Sequence, residues 1–231
     1  EESPFGPPCQ GFAAQEGMKC VPGGLFIRGS NDLNPEEDTQ KKIDDESPEE
    51  KVAVKTFFMD TFEVTYQQYQ ECVKAGACTH AHPNYIGYDR PKQPMLGVTW
   101  FQARDYCTWK GKRLPTEAEW EKAARGDKGD IYPWGNEPAD CTRAVLEEKG
   151  EKGCGAKTTW DVGSKGAFRY GLFDMAGNSW EWVNDWYSAS YAKCGEACKG
   201  IDPQGPCNGA EKCPGHDKKV IRGGSWWRGV R

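Results

Sequence analysis

Long apolar runs are missing from this chain. No stretch approaches the roughly 20 apolar residues of a membrane helix, so no transmembrane segment is expected. Basic blocks are missing too: 30 Lys and Arg face 35 Asp and Glu, a formal net charge of −5, and no positive patch stands out to attract nucleic acid. Histidine is scarce, at 3 residues. The pair in His80-Ala-His82 has some metal-ligand character, but it abuts Pro83 and reads as a surface loop. A Gly-x-Ser-x-Gly elbow, a P-loop and a dinucleotide fingerprint are all absent. The chain also opens at Glu1-Glu2 without a charged segment followed by an apolar one, so any signal peptide has been removed or never existed.

What the chain has instead is glycine, proline, tryptophan and cysteine. Hydrophobic residues make up 37 %, against 28 Gly, 15 Pro, 10 Trp and 11 Cys. This describes one globular domain with many loops and a core of large aromatics. So many cysteines favour disulfides and an oxidising, extracytoplasmic setting: secreted, periplasmic or cell-surface. Their spacing supports local loops, Cys9 with Cys20, Cys72 with Cys78, Cys141 with Cys154, and some pairing among Cys194, Cys198, Cys207 and Cys213. Cys107 is left over; with Ala103 and Tyr106 on one helical face, it reads as a buried thiol. Zinc is the rival use of the last four cysteines, with His216 nearby. Zinc pairs are usually spaced more tightly, so zinc is not expected.

Helices announce themselves by one device. Thr65-x-x-Gln68, Thr99-x-x-Gln102 and Thr116-x-x-Glu119 are capping boxes, and Gly76, Gly111 and Gly126 stand where each helix would stop. Short β-like runs occupy Gly24–Arg28, Val52–Met59 and Lys219–Arg222. From about Asp127 to His216 no period is sustained, which suggests a functional or cross-linked loop region. The run from Asn31 to Lys51 holds nine carboxylates and reads as a solvated loop, with a cation or basic-partner site as the alternative. Residues 1–20 read as an extension tied down by Cys9 and Cys20, and residues 21–231 as the domain proper.

Six motifs occur in order: Val21-Pro-Gly-Gly-Leu-Phe-Ile-Arg-Gly-Ser30, Met59-Asp-Thr-Phe-Glu-Val-Thr65, Gly111 to Gly126 around Leu-Pro-Thr-Glu-Ala-Glu-Trp, Tyr132-Pro-Trp-Gly-Asn136, Tyr170 to Trp182 with Asp174-Met-Ala-Gly-Asn-Ser-Trp-Glu181, and Arg222-Gly-Gly-Ser-Trp226. Together they resemble the formylglycine-generating enzyme family, the sulfatase-modifying-factor domain, from about Met18 onward. The resemblance implies an irregular, loop-rich α+β fold related to C-type lectins, low in regular secondary structure. It also implies a reaction, the oxygen-dependent oxidation of a sulfatase cysteine to formylglycine by copper held on two cysteines.

Calcium has a basis in the residues themselves. Asp174 and Glu181 are two carboxylates with a glycine bend between them, and calcium takes six to eight hard oxygens in flexible geometry. By resemblance the ligands are the Asp174 and Glu181 side chains with the Gly177 and Ser179 carbonyls. The plainer alternative has Asp174 capping a turn and Glu181 paired with an arginine. A second calcium site of the family is assigned no ligands, because Cys141-Thr-Arg-Ala-Val145 lacks the expected asparagine.

Copper is not expected. Counting from Trp226, the family's first active cysteine falls on Arg228 and its second beyond Arg231, and a guanidinium cannot replace a soft thiolate ligand. The segment after Gly-Gly-Ser-Trp, which the family usually continues to a closing Gly-Phe-Arg, is also absent from these 231 residues. The leading expectation is therefore a non-catalytic, calcium-binding member serving as a binding or structural component, with a protein partner or neighbouring chain near the C-terminus. Trp226, Trp227 and Arg228 are its candidate ligand surface, for a glycan or peptide, although tryptophans in so aliphatic-poor a chain, Trp180, Trp182 and Trp186 included, are expected mainly as core. The alternatives are a family oxidase with active residues beyond residue 231, and a C-type-lectin-like ligand-binding protein.

Overall fold

The computed structural model describes residues 3–13, 15–31, 45–81 and 87–228. His82 and residues 32–44 of the acidic run lie outside them. The described chain forms six strands, β1 (Met18–Val21), β2 (Gly24–Arg28), β3 (Glu50–Val54), β4 (Phe57–Asp60), β5 (Glu181–Trp186) and β6 (Lys219–Arg222), and four α-helices, α1 (Tyr66–Lys74), α2 (Trp100–Trp109), α3 (Glu117–Arg125) and the single turn α4 (Tyr191–Cys194). The strands pair antiparallel in three two-stranded ribbons, β1–β4, β2–β3 and β5–β6. This is a loop-rich α+β fold, as expected.

All three capping boxes form. Thr65, Thr99 and Thr116 each accept from the backbone N–H three residues on, and Gln68, Gln102 and Glu119 reach back to the cap. One strand prediction needs correction. The run Val52–Met59 is two strands, because Lys55 and Thr56 turn away from the ladder: the Lys55 N–H donates to Asp202 Oδ1 at 2.7 Å and the Thr56 N–H to the Phe5 carbonyl at 2.9 Å. β3 then pairs with β2 and β4 with β1. Strand β1 also crosses the boundary drawn after residue 20, so Cys20 pairs with Phe58 while its sulfur joins Cys9.

Two hydrophobic clusters hold most of the core. One packs α3 (Trp120, Ala123) against Phe26, Val52, Val54, Leu172 and Val183. The other packs α1 on α2 through Tyr69, Cys72 and Tyr106. A buried ionic network fixes the first cluster to the chain's last strand. The Gly29 N–H donates to Glu121 Oε1 at 2.7 Å, Arg125 pairs with the same carboxylate, and Arg222 lies 3.3 Å from Glu121 Oε2. Burial alone would raise the Glu121 carboxyl; Arg222 and Arg125 outweigh it and hold it below its usual range.

Five disulfides form: Cys9–Cys20, Cys72–Cys78, Cys141–Cys154, Cys194–Cys198 and Cys207–Cys213. The four sulfurs weighed for zinc are thus joined in pairs. Cys107 is free and half-buried, and burial pushes its thiol up to about 11.

Candidate metal and ligand site

The residues from Asp174 to Glu181 fold as a tight loop entering β5. Asp174, Gly177 and Asn178 all take left-handed backbone conformations, at φ 53°, 83° and 55°, which Gly, Asn and Asp tolerate best. Gly177 is required for a second reason: a Cβ there would stand 2.4 Å from the Val145 carbonyl oxygen. Three residues in sparsely populated conformations within five positions persist only where the surroundings hold them.

The surroundings do so from several sides. The Gly177 N–H donates to Gly223 O at 2.7 Å, the Asn178 N–H to Val145 O at 2.8 Å, and the Trp226 N–H to Asn178 O at 3.0 Å. Glu63, just ahead of α1, clamps the loop with both oxygens: Asn178 Nδ2 donates to one at 2.7 Å and the Ser179 N–H to the other at 2.9 Å. Sequence reasoning quoted Glu63 inside a family motif without seeing this role.

Asp174 is buried at 6 % exposure and accepts from the Gly163 N–H at 2.6 Å. Glu181 accepts from Trp120 Nε1 at 3.0 Å. Burial raises the carboxyls of Asp174 and Glu63, the latter strongly, and Glu181 is pushed up to about 7; the negative charge of Asp174 adds to the rise at both glutamates. Among the described residues no Lys, Arg or His stands within ion-pair distance of Glu63, Asp174 or Glu181, so the arginine pairing considered for Glu181 does not occur. Turn-capping by Asp174 does occur, at Gly163.

Three mutually repelling carboxyls, of which only Asp174 feels a nearby cation, Lys165, and at a distance too long for an ion pair, form a site that a hard divalent ion would relieve. A Cβ on Gly223 would sit 3.8 Å from the Ser179 carbonyl oxygen and 3.9 Å from Glu181 Oε1, so the missing side chain leaves these two oxygens facing one small space. Among the described residues no group of three His, Cys, Asp or Glu side chains is placed to hold a metal alone. Backbone carbonyls would have to complete the shell, a donor set suited to calcium rather than zinc or copper.

Beside the loop lies a cleft of about 520 Å³ lined by Trp180, Trp182, Trp226, Trp227, Tyr88 and Ile221, with Ser225 and Lys152 at its edges. The expectation of core tryptophans is corrected here. Trp180 and Trp227, each following a position held by a backbone hydrogen bond, are 39 % and 40 % exposed. Trp182 and Trp186 are half-buried, with indole N–H groups donating to Val98 O and Ala210 O; Trp120, in α3, and Trp100, in α2, are buried at 2 % and 6 %. Arg228 is exposed and lays its guanidinium 4.8 Å over the Trp227 ring, a cation–π contact. His80 is exposed, as expected.

The carboxylate loop and the cleft share Asn178 and Ser179, so whatever orders the loop also sets Trp180 in the cleft wall. Known proteins are similar to this chain in sequence and in fold. Residues 7–231 match the sulfatase-modifying factor enzyme 1-like domain. The chain is 33 % identical to the formylglycine-generating enzyme of Thermomonospora curvata, over 91 % of this chain and 82 % of that protein. It is 28 % identical to the inactive C-alpha-formylglycine-generating enzyme 2 of Mus musculus, over 94 % and 76 %. The solved structure of PvdO from Pseudomonas aeruginosa superposes with a TM-score of 0.69 at 26 % identity, over 90 % of this chain and 82 % of that one. The chain belongs to the sulfatase-modifying factor, or formylglycine-generating enzyme, family.

Proposed function

We propose that this chain is a non-oxidising, calcium-binding member of its family, acting as a binding or structural component in an oxidising compartment outside the cytoplasm. Arg228 carries the reading. The family's copper chemistry needs a thiolate where Arg228 stands, and this guanidinium is exposed and stacked on Trp227. A fixed positive charge beside a cuprous ion is repulsive and offers no lone pair, so the residues present do not fit copper. Calcium fits better: Asp174 and Glu181 would hold it with the Gly177 and Ser179 carbonyls, and it would supply a positive charge in direct contact with carboxyls that form no ion pair. Five disulfides support the compartment, and no helix among the described residues is long and apolar enough to cross a membrane.

The cleft is where this function acts. Exposed Trp180 and Trp227 present flat apolar faces, with Lys152 and Arg228 beside them, a surface for a peptide or glycan ligand or for a neighbouring chain near the C-terminus. The family's oxidation of a sulfatase cysteine remains the second reading, favoured by the identity to the Thermomonospora curvata enzyme; it would need thiols beyond residue 231. A calcium-dependent, lectin-like ligand site is the third, and sugar binding that survives EDTA counts against its calcium-bridged form.

Incubation with copper, oxygen and a Cys-x-Pro-x-Arg peptide tests the first reading against the second. No aldehyde product is expected by mass spectrometry, and aldehyde formation at catalytic turnover overturns the proposal.

A further inference from the structure

A second cavity, of about 480 Å³, lies on the far side of the Trp180–Trp182 wall. It opens along the seam where the two hydrophobic clusters fail to merge: Phe57 and Met175 come from one, Tyr69 and Tyr106 from the other. All 4 methionines of the chain, Met18, Met59, Met95 and Met175, line it, and so does Cys107, the free thiol. Every sulfur outside a disulfide therefore borders this one space. Methionine is unbranched and polarisable, and its thioether makes favourable contacts with aromatic edges, so such walls reshape around an apolar guest.

The charged groups on the wall narrow the kind of guest. Lys112 is paired with Asp60 at 2.5 Å and Arg113 with Glu119 at 2.6 Å. Glu63 is occupied by Asn178 and Ser179, and Glu181 accepts from Trp120. Both cations on the wall are thus neutralised, and the remaining carboxyls, Glu63 and Glu181, belong to the ion site proposed above, so nothing on the wall is left to recognise a charged organic ligand, while the volume falls within the roughly 300–1,000 Å³ of small-molecule sites. We infer that this cavity is a binding site for an uncharged, apolar small molecule, distinct from the tryptophan cleft on the other side of the wall.

The uncharged fluorophore N-phenyl-1-naphthylamine is the probe. Titrated into the purified protein, it is expected to bind saturably, one per chain, with enhanced emission. Ala103→Phe and Cys107→Phe, which project a ring into the cavity from α2, weaken binding by about tenfold or more, a loss of about 1.4 kcal/mol, while Trp227→Ala in the other cleft leaves it unchanged. A parallel arm uses the unaltered chain, in case a filling variant does not fold: saturating probe slows alkylation of Cys107 by N-ethylmaleimide, read by intact mass. The inference is overturned if the parent chain binds no probe saturably, if both folded filling variants bind as well as the parent, if Trp227→Ala abolishes binding, or if the probe leaves Cys107 alkylation unchanged.

Discussion

If the proposed calcium site is right, calcium should stabilise this fold, and removing the Asp174 carboxylate should erase that response. A ligand that binds only the folded state adds RT ln(1 + [L]/Kd), about 2.7 kcal/mol at a hundredfold excess over Kd. A chain of 231 residues shifts its melting temperature by roughly 2–4 °C per kcal/mol, so a saturating excess should raise Tm by about 5–11 °C. The ligand set predicts a second ordering: magnesium, which demands octahedral geometry and dehydrates reluctantly, gives the smaller shift. Asp174→Ala carries a cost unrelated to calcium, because φ is 53° there and the Gly163 N–H loses its acceptor; left-handed backbone alone costs a non-Gly residue roughly 1–2 kcal/mol. The comparison is therefore the calcium-induced shift within each protein and not the absolute Tm. Differential scanning fluorimetry in EDTA and in about 10 mM calcium, a hundredfold excess over a Kd of about 0.1 mM at the tighter end of extracellular modules, should show that shift in the parent, about half of it if Kd is about 1 mM, and none in Asp174→Ala. Asp174→Asn, which keeps one side-chain oxygen and tolerates the backbone, should fall between. A full calcium shift in Asp174→Ala, or none in the parent, refutes the assignment.

Two further outcomes test the electrostatics around α3. Glu121→Ala takes from Arg125 its carboxylate and from the Gly29 N–H its acceptor, while Arg222 keeps Glu46 and Glu117 at 3.5 and 3.6 Å; denaturant unfolding should report a loss of about 3 kcal/mol, the lower end for breaking a buried pair, and a loss below about 1 kcal/mol would show that the network stabilises little. Asp185, 3 % exposed, accepts from the Glu117 N–H and is pushed up to about 8, chiefly by burial and then by the charge of Glu117. Its folded pKa exceeds the unfolded one, so its contribution to stability is fully present near pH 4 and is lost as pH rises through about 8. Asp185→Asn keeps the acceptor and removes the charge, so it should stabilise the fold at pH 8 by roughly 1–3 kcal/mol and flatten the decline in Tm between pH 5 and about 8; a pH profile parallel to the parent's contradicts the burial argument.

Local chemistry was the legible part of this fold. The capping boxes could be read because a threonine and a Gln or Glu three residues on satisfy each other within one helical turn, and the loop at Asp174 could be flagged because glycine and two carboxylates stand close together in sequence. β5 was not legible: its inward positions are Val183 and Asp185, and a buried aspartate breaks the apolar alternation by which a strand is recognised. The role of Glu63 depends on a hydrogen bond to a residue 115 positions away, and the exposed Trp180 and Trp227 each follow a position held by a hydrogen bond to a distant residue. Neither leaves a trace in local spacing. The only available signal for Glu63 was its place two residues before a helix cap, which a solvent-facing glutamate could equally occupy.

The disulfides close loops of 11, 6, 13, 4 and 6 residues, and none of them ties distant parts of the chain together. A proteolytic cut between the two cysteines of a bridge leaves the halves covalently joined, and the short intervals place that protection on these five loops. Such damage changes the number of chain ends without releasing a fragment. In a compartment rich in proteases, the surface loops can be nicked while the carboxylate loop, the last strand and the cleft they position remain parts of one molecule.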